Sequence, residues 1–185
     1  MDTARHNDEI SQNLKHWIRK PSLQKSYRAF HQLIAQYLSK SDNGLTVELG
    51  SGIGNIKDTI PECLRTDLFP NPWIDQVENA YKLSFSDSSV SNLIMFDVFH
   101  HLRYPGTALA EAYRVCTPNG RLIIFEPCLS LLGFLVYGPL HAEPLALKEE
   151  IFWQAPEGWT AGDADYYAAQ GHASRVFLGH EYNEL

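Results

Sequence analysis

The sequence predicts an α/β protein, a mostly parallel sheet flanked by helices, with an N-terminal helical arm before it and an incomplete C-terminal part after it. Three observations lead there. From Leu45 onward, short apolar runs alternate with turns and helix-like or irregular segments, the rhythm of parallel strands joined by crossovers. The first run ends in three glycines at alternate positions, Gly50, Gly52 and Gly54. Upstream, Leu23, Tyr27, Phe30, Ile34, Tyr37 and Leu38 recur at helical spacing.

The elements follow in order. Pro21 suits a first helical turn, where its missing N–H costs nothing, and a shorter helix is expected before it. Ser41 to Gly44 is a turn cluster. Strands are expected over residues 45–49 and 63–66, briefly near 74–77, and over 92–96, the last a strong buried strand. A helix over 107–116 places Ala108, Leu109, Ala112 and Tyr113 on one side, and a final buried strand covers 121–125. Thr117-Pro118-Asn119-Gly120 is the turn between them. Few residues separate Gly54 from Pro61, so the first crossover helix is short. Arg175 to Leu178 is the segment left for one more strand. The expected organisation is a single domain, with the arm over 1–43, a core over 44–127 and a lid or acceptor region over 128–185.

With 185 residues and 44% hydrophobic content, the chain can bury a core without disulfides or a structural metal. Its net charge of -7 argues against nucleic acid and anionic membrane, both of which need a basic footprint, and leaves a small molecule or a protein surface as partner. Cys63, Cys116 and Cys128 are widely spaced and suggest neither a disulfide framework nor a zinc site, so no metal is expected. The polar N-terminus lacks the order of a secretion signal, which points to a cytoplasmic protein. The longest apolar stretch, Cys128 to Leu140, is too short to span a bilayer.

Chemistry enters at the glycine loop. Glycines directly after a strand let the backbone turn sharply and approach a ligand with no side chain in between. Dinucleotide loops use G-x-G-x-x-G; here the third glycine falls one position early, with Asn55 in its place. Asp67 closes the second strand, where α/β cofactor folds put a carboxylate on ribose hydroxyls. Each feature alone has an ordinary reading, a tight connection and a strand-end aspartate. Their order favours a ligand.

Five segments in sequence resemble the class I, Rossmann-like methyltransferases of the type 11 group: Val47 to Gly54, Thr66-Asp67-Leu68, Asn79-Ala80 with Leu83 to Asp87, Phe96 to Leu102, and Glu111 to Val115 with Thr117 to Leu122. The resemblance runs from about Leu45 to Pro127, and His141-Ala142-Glu143-Pro144 is similar to a stretch found in one subgroup. It implies S-adenosyl-L-methionine as donor, S-adenosyl-L-homocysteine as product, and a small-molecule acceptor. By position it implies that the loop of Gly50, Ser51, Gly52 and Gly54 faces the methionine part, with Glu48 near its ammonium group. Asp67, followed by Leu68, would hold the ribose, Asn79 and Ala80 would meet the adenine, and Phe96 would lie near the sulfonium. Asn79 stands where many relatives have Asp, which keeps an acceptor and loses a charge. Relatives also continue past the fifth strand to a closing antiparallel pair. An exposed sheet edge here would invite a homodimer or strand exchange.

A sulfonium methyl is already activated, so a catalytic residue is optional; a protonated acceptor needs a base. His100, His101 and His141 are the candidates, with Glu126 and Glu143 behind them. The ordinary reading of His100 and His101 is packing and capping in a strand-to-helix loop, and no acidic partner stands at recognisable metal-ligand spacing. Trp17, Tyr27 and Phe30 either lid the donor pocket or pack the arm on the sheet, and Leu131 to Tyr137 is a candidate acceptor contact. Two rival functions stay open: a non-catalytic binding or scaffold protein of the same fold, and a NAD-dependent oxidoreductase, which the glycine spacing disfavours.

Overall fold

The computed structural model describes residues 3–40, 44–128, 130 and 144–179. The arm is two helices, α1 (Thr3–Arg19) and α2 (Pro21–Gln36). Pro21 at the start of α2 forces Lys20 out of the helical region (φ -120°, ψ 87°), so the chain bends between them. The expected shorter first helix is in fact 17 residues against 16, because the polar sequence before Trp17 hides its length. Trp17 packs edge-on against Tyr27 at 5.8 Å, and its carbonyl accepts from Gln24 at 2.7 Å.

Five strands follow: β1 (Leu45–Leu49), β2 (Leu64–Asp67), β3 (Gln76–Val77), β4 (Val90–Phe96) and β5 (Cys116–Phe125), with α3 (Pro105–Val115) between the last two. They pair in parallel in the order β3-β2-β1-β4-β5. β4 is buried from Val90 to Met95, as a central parallel strand covered on both faces must be. Alternation divides its residues between two apolar clusters. Leu93 and Met95 join Val47 and Leu49 on one face. Ile94, with Phe96 beside it, joins Ile34, Ile56 and Ile60 under α2 on the other. Asn92, buried in this apolar strand, is satisfied by Ser39 N–H at 2.6 Å and by its own donation to Thr46 Oγ1 at 3.1 Å, which pins the exit of α2 to the sheet.

Several boundaries differ from those the sequence predicts. β2 starts one residue later and ends on Asp67, with Cys63 buried just before it. α3 opens earlier, on Pro105. The expected turn at Thr117–Gly120 lies inside the span of β5, as a loop-out: the ladder goes from Val90↔Cys116 to Asn92↔Arg121, and Asn119 takes φ 68°. The first crossover is short, a single 3-10 turn at Asn55–Asp58. Arg175 to Leu178 is not a strand but part of α4 (His172–Leu178). Its apolar residues follow the helical period, Ala173 and Val176 into the core and Phe177 against Phe99 at 5.1 Å, and Arg175 donates to the carbonyls of Ala146 and Glu149.

Sequence order reverses between β1 and β4, which are neighbours in the sheet. In such sheets the crevice beyond the carboxyl ends of the strands, at this switch point, is where ligands bind.

Candidate functional site

A cavity of about 360 Å³ lies at that point, of a size suited to a small ligand. Gly50, Gly52, Asp67, Leu68, Asn79 and Ala80 line it from the tips of β1, β2 and β3. Asp97, Val98, His101 and Leu102 line it from the tip of β4. Two larger clefts, about 610 and 570 Å³, flank β5 and are lined mainly by apolar side chains.

The glycine loop is shaped by two close approaches. Gly50 (φ 67°) stands so near the β4 turn that a Cβ would fall 2.4 Å from Val98 Cγ2, so only glycine lets the two strand tips meet. Gly52 (φ 51°) is different: a Cβ there meets nothing nearer than Ile10 Cδ1 at 3.7 Å, and its open face looks into the cavity. Ser51 turns inward and ties the loop to β2, its Oγ accepting from Thr66 N–H at 3.1 Å and its N–H donating to the Thr66 carbonyl at 2.8 Å. Gly54 packs against the Trp73 carbonyl, away from the cavity.

Asp67 is 6% exposed and faces the ligand space. Its Oδ2 accepts from Gly52 N–H at 3.2 Å and its Oδ1 from Leu68 N–H at 2.7 Å, so one carboxylate holds the loop and the end of β2 in register. His6 Nε2 of α1 stands 3.5 Å from Oδ1, its ring against Phe69 at 5.1 Å. Asn79 lines the cavity, but its amide works as a strut: Nδ2 donates to the Ala161 carbonyl at 2.8 Å and Oδ1 accepts from Tyr81 N–H at 3.0 Å. Glu78, buried next to it, accepts from Ser84 N–H at 2.9 Å and also from the Ser84 hydroxyl and the Gln76 amide.

Glu48, Ser51, Gly54 and Phe96 are not on the cavity wall. Glu48 sits between Val47 and Leu49 on the strand and therefore faces the other side of the sheet, 3% exposed. Burial, reinforced by Asp67 and opposed by Ser51 and Arg65, pushes its carboxyl up to about 7. Phe96 shares a face with Ile94 and packs among Tyr27, Phe30 and Phe125 at 5.0 to 6.0 Å. The next residue, Asp97, reaches the cavity instead, with φ 62°.

The two adjacent histidines have different surroundings. His100 is 1% exposed; its Nδ1 meets Glu126 Oε2 at 2.6 Å and its Nε2 meets the Gln170 amide at 3.2 Å. The other oxygen of Glu126 accepts from Val98 N–H at 2.7 Å and from Phe99 N–H, so this carboxylate fixes the whole turn after β4. The sequence offers only Asp97, three residues before His100, at no recognisable ligand spacing; the fold adds Glu126, so two carboxylates stand beside the ring. Asp97, His100 and Glu126 put ligand atoms within 4.8 Å of one another, close enough in principle to share a metal ion, although Glu126 already serves two N–H groups and the imidazole. His101 lines the cavity and its Nδ1 lies 2.7 Å from the Tyr167 carbonyl. A carbonyl can only accept, so Nδ1 carries a proton, and in the neutral ring the lone pair falls on Nε2.

His141 and Glu143, and the apolar segment Leu131 to Tyr137, lie outside the described residues. Sequence reasoning missed two groups of cavity residues. His6, Glu9, Ile10 and Asn13 come from α1, and Ala164 to Tyr167 come from an irregular segment. The arm aromatics Trp17, Tyr27 and Phe30 pack, and it is the part of α1 ahead of Trp17 that lines the cavity.

Residues 48–124 match the family described as a methyltransferase domain, type 11. No curated protein matches the sequence. Among solved structures, the chain is similar to an S-adenosylmethionine-dependent methyltransferase of Thermotoga maritima (18% identity, TM-score 0.57, 89% of this chain and 74% of that one). It is also similar to a protein of Pyrococcus horikoshii OT3 (20% identity, TM-score 0.50, 64% and 63%). It covers 56% of a Haloferax volcanii chain solved with a methyltransferase activator, at 20% identity and TM-score 0.41. The chain thus spans only part of the length of these relatives. Among the described residues, no helix is long and apolar enough to cross a membrane. The switch-point sheet, the loop at its centre and the likeness to the Thermotoga maritima structure agree: the chain has the Rossmann-like class I methyltransferase fold, and its residues 48–124 match the type 11 methyltransferase domain.

Proposed function

We propose that the chain transfers a methyl group from S-adenosylmethionine to a small-molecule acceptor, leaving S-adenosylhomocysteine. The observation that carries this reading is the meeting of Gly52 and Asp67 on one cavity wall: an open backbone face beside a buried carboxylate at the switch point. The fit is specific. A carboxylate has about four lone-pair sites, and those of Asp67 are only partly used by the Gly52 and Leu68 N–H groups, which leaves capacity for ribose hydroxyls.

When bound, the donor supplies a methyl on a sulfonium, already activated for in-line displacement. The chain has to bind, align and exclude water. Gly50 and Gly52 give main-chain contact without obstruction, Asp67 holds the ribose, and Leu68, Asn79 and Ala80 flank the base. Glu48, Ser51, Gly54 and Phe96 support the cradle from behind. His101 Nε2 takes the acceptor proton where one must leave, and His100 with Glu126 positions the turn that carries it. Helix α1 closes the space from above through Ile10 and Asn13.

The reading includes a cytoplasmic setting, supported by three cysteines with no disulfide. It also includes self-association along β5, which among the described residues pairs only with β4; a monomer in light scattering would remove that part.

Calorimetry with S-adenosylmethionine and S-adenosylhomocysteine tests the donor. Binding should weaken in Asp67→Ala and in Gly52→Val, and unchanged affinity in both variants would sink the assignment. A second reading is binding without turnover, in a cavity where the Asn79 amide is committed to Ala161 and Tyr81. That reading expects donor binding with no labelled methyl passed to any acceptor.

A further inference from the structure

We propose that His6 of α1 binds the ribose of the donor, giving a hydrogen bond to one hydroxyl while Asp67 accepts from the diol; this deepens, and rests on, the donor assignment above. Helix α1 is laid over the cavity by one face, and His6 and Ile10, four residues apart, both line it. Ile10 is buried and stands opposite Gly52, where a Cβ would meet Ile10 Cδ1 at 3.7 Å. His6 stands opposite Asp67, with Nε2 3.5 Å from Oδ1 and its ring against Phe69 at 5.1 Å. These two side chains of α1 therefore face the same two residues on which the donor reading rests.

The imidazole nitrogen is what calls for a ligand. Nε2 of His6 is buried, and among the described residues it has no hydrogen-bond partner. Asp67 Oδ1 is near enough for an ion pair, yet 3.5 Å lies beyond the roughly 2.7–3.2 Å of an N–H···O bond. A buried polar atom left in this state is costly and uncommon. A lone pair aimed at a carboxylate oxygen would be repelled by it, so Nε2 carries a proton and acts as a donor. A ligand hydroxyl that gives its own proton to Asp67 keeps its lone pairs and needs such a donor. The Gly52 and Leu68 N–H groups are already spent on the carboxylate, and the Asn79 amide on the Ala161 carbonyl.

A vicinal diol answers both groups at once. The carboxylate only accepts, so it takes up hydroxyl protons; an imidazole N–H only donates, so it takes up a hydroxyl oxygen. A ligand with hydrogen in place of the hydroxyl held by His6 leaves that buried nitrogen unpaired again. Sites built in this way reject the analogue that lacks the hydroxyl. His6 would thus make the cavity a reader of the intact ribose, in addition to the contact that Asp67 supplies.

The test is calorimetry with S-adenosylhomocysteine and its 2′-deoxy and 3′-deoxy analogues, on the parent, His6→Phe and His6→Gln. Phenylalanine keeps a ring against Phe69 and has no nitrogen, whereas glutamine keeps an N–H donor. His6→Phe should bind S-adenosylhomocysteine about three- to tenfold more weakly, the worth of one hydrogen bond, and His6→Gln should recover part of that loss. Both analogues should bind the parent more weakly than the intact nucleoside does, and in His6→Phe the penalty for one of the two should shrink by the same factor. If His6→Phe binds as the parent does, if it weakens all three nucleosides alike, or if glutamine recovers nothing, the inference is overturned and His6 merely props α1 against Asp67. Failure of the parent to bind S-adenosylhomocysteine would refute the donor assignment, and this inference with it; binding by the parent without the His6 dependence refutes this inference alone.

Discussion

The two glycines that open the loop should separate folding from binding. Alanine at Gly52 keeps φ 51°, a left-handed conformation that costs an L-residue roughly 1–2 kcal/mol. Loss of glycine's freedom in the unfolded chain returns about 0.4–1 kcal/mol, so the net loss of stability is about 1 kcal/mol. The new methyl touches only Ile10 and otherwise points into the cavity. A ligand packed there meets an overfilled site at about 1–3 kcal/mol, or roughly tenfold to a hundredfold in affinity. At Gly50 the same strain combines with a methyl 2.4 Å from Val98 Cγ2, and the loss of stability rises to about 2–4 kcal/mol. Urea unfolding measures the first quantity and calorimetry with S-adenosylhomocysteine the second. Gly52→Ala should remain folded and bind poorly, while Gly50→Ala should be the less stable of the two. If Gly52→Ala binds the nucleoside as the parent does, the cradle is elsewhere.

Other outcomes follow from the same geometry. His101→Gln should lower turnover by roughly a hundredfold or more if the acceptor must lose a proton, with S-adenosylhomocysteine affinity nearly unchanged; an equal fall in both would make the residue structural. Glu126→Ala leaves the Val98 and Phe99 N–H groups and His100 without their acceptor and should cost about 3 kcal/mol in thermal or urea unfolding. Glu48 keeps its proton up to about 7 in the fold and up to the ordinary 4.5 when unfolded, so its contribution to stability falls as pH rises between those values, by about 3 kcal/mol in all. Glu48→Gln, which has no proton to lose, should therefore gain on the parent between pH 4.5 and 7 and hold that gain above. His31, lowered by burial to about 4 against 6.5, acts in the opposite sense, its contribution rising with pH across 4 to 6.5, so the parent profile is flattened and the single variant exposes the slope. Arg114→Met frees the carbonyls of Leu83 and Phe85 and the carboxylate of Glu111, and should cost about 1–2 kcal/mol in the same assay.

What the sequence made legible was local. A strand running into glycines, and an aspartate closing the next strand, identified the switch-point wall because each depends on a few consecutive residues. Side-chain parity carried more than was read from it. Phe96 shares a face with Ile94, and Glu48 lies between two core residues, so both point away from the crevice. The contributions of α1 and of residues 164–167 were not legible, since periodicity reveals which face of a helix is apolar and not where that helix docks. The partners of His100 come from positions 26 and 70 residues away, a distance only the closed sheet can span. Arg175 to Leu178 was misread because a run of four residues fits a strand or a helical turn equally well.

Helix α1 takes no part in the sheet, yet His6, Glu9, Ile10 and Asn13 give the cavity its outer wall. Of these, Glu9 and Asn13 are exposed, whereas Ile10 is buried and His6 stands against Asp67. Exchanges confined to Glu9 and Asn13 can alter which molecules are admitted while the interleaved interior beneath stays as it is, so a library at those two positions could search for new acceptors with little risk of losing the scaffold.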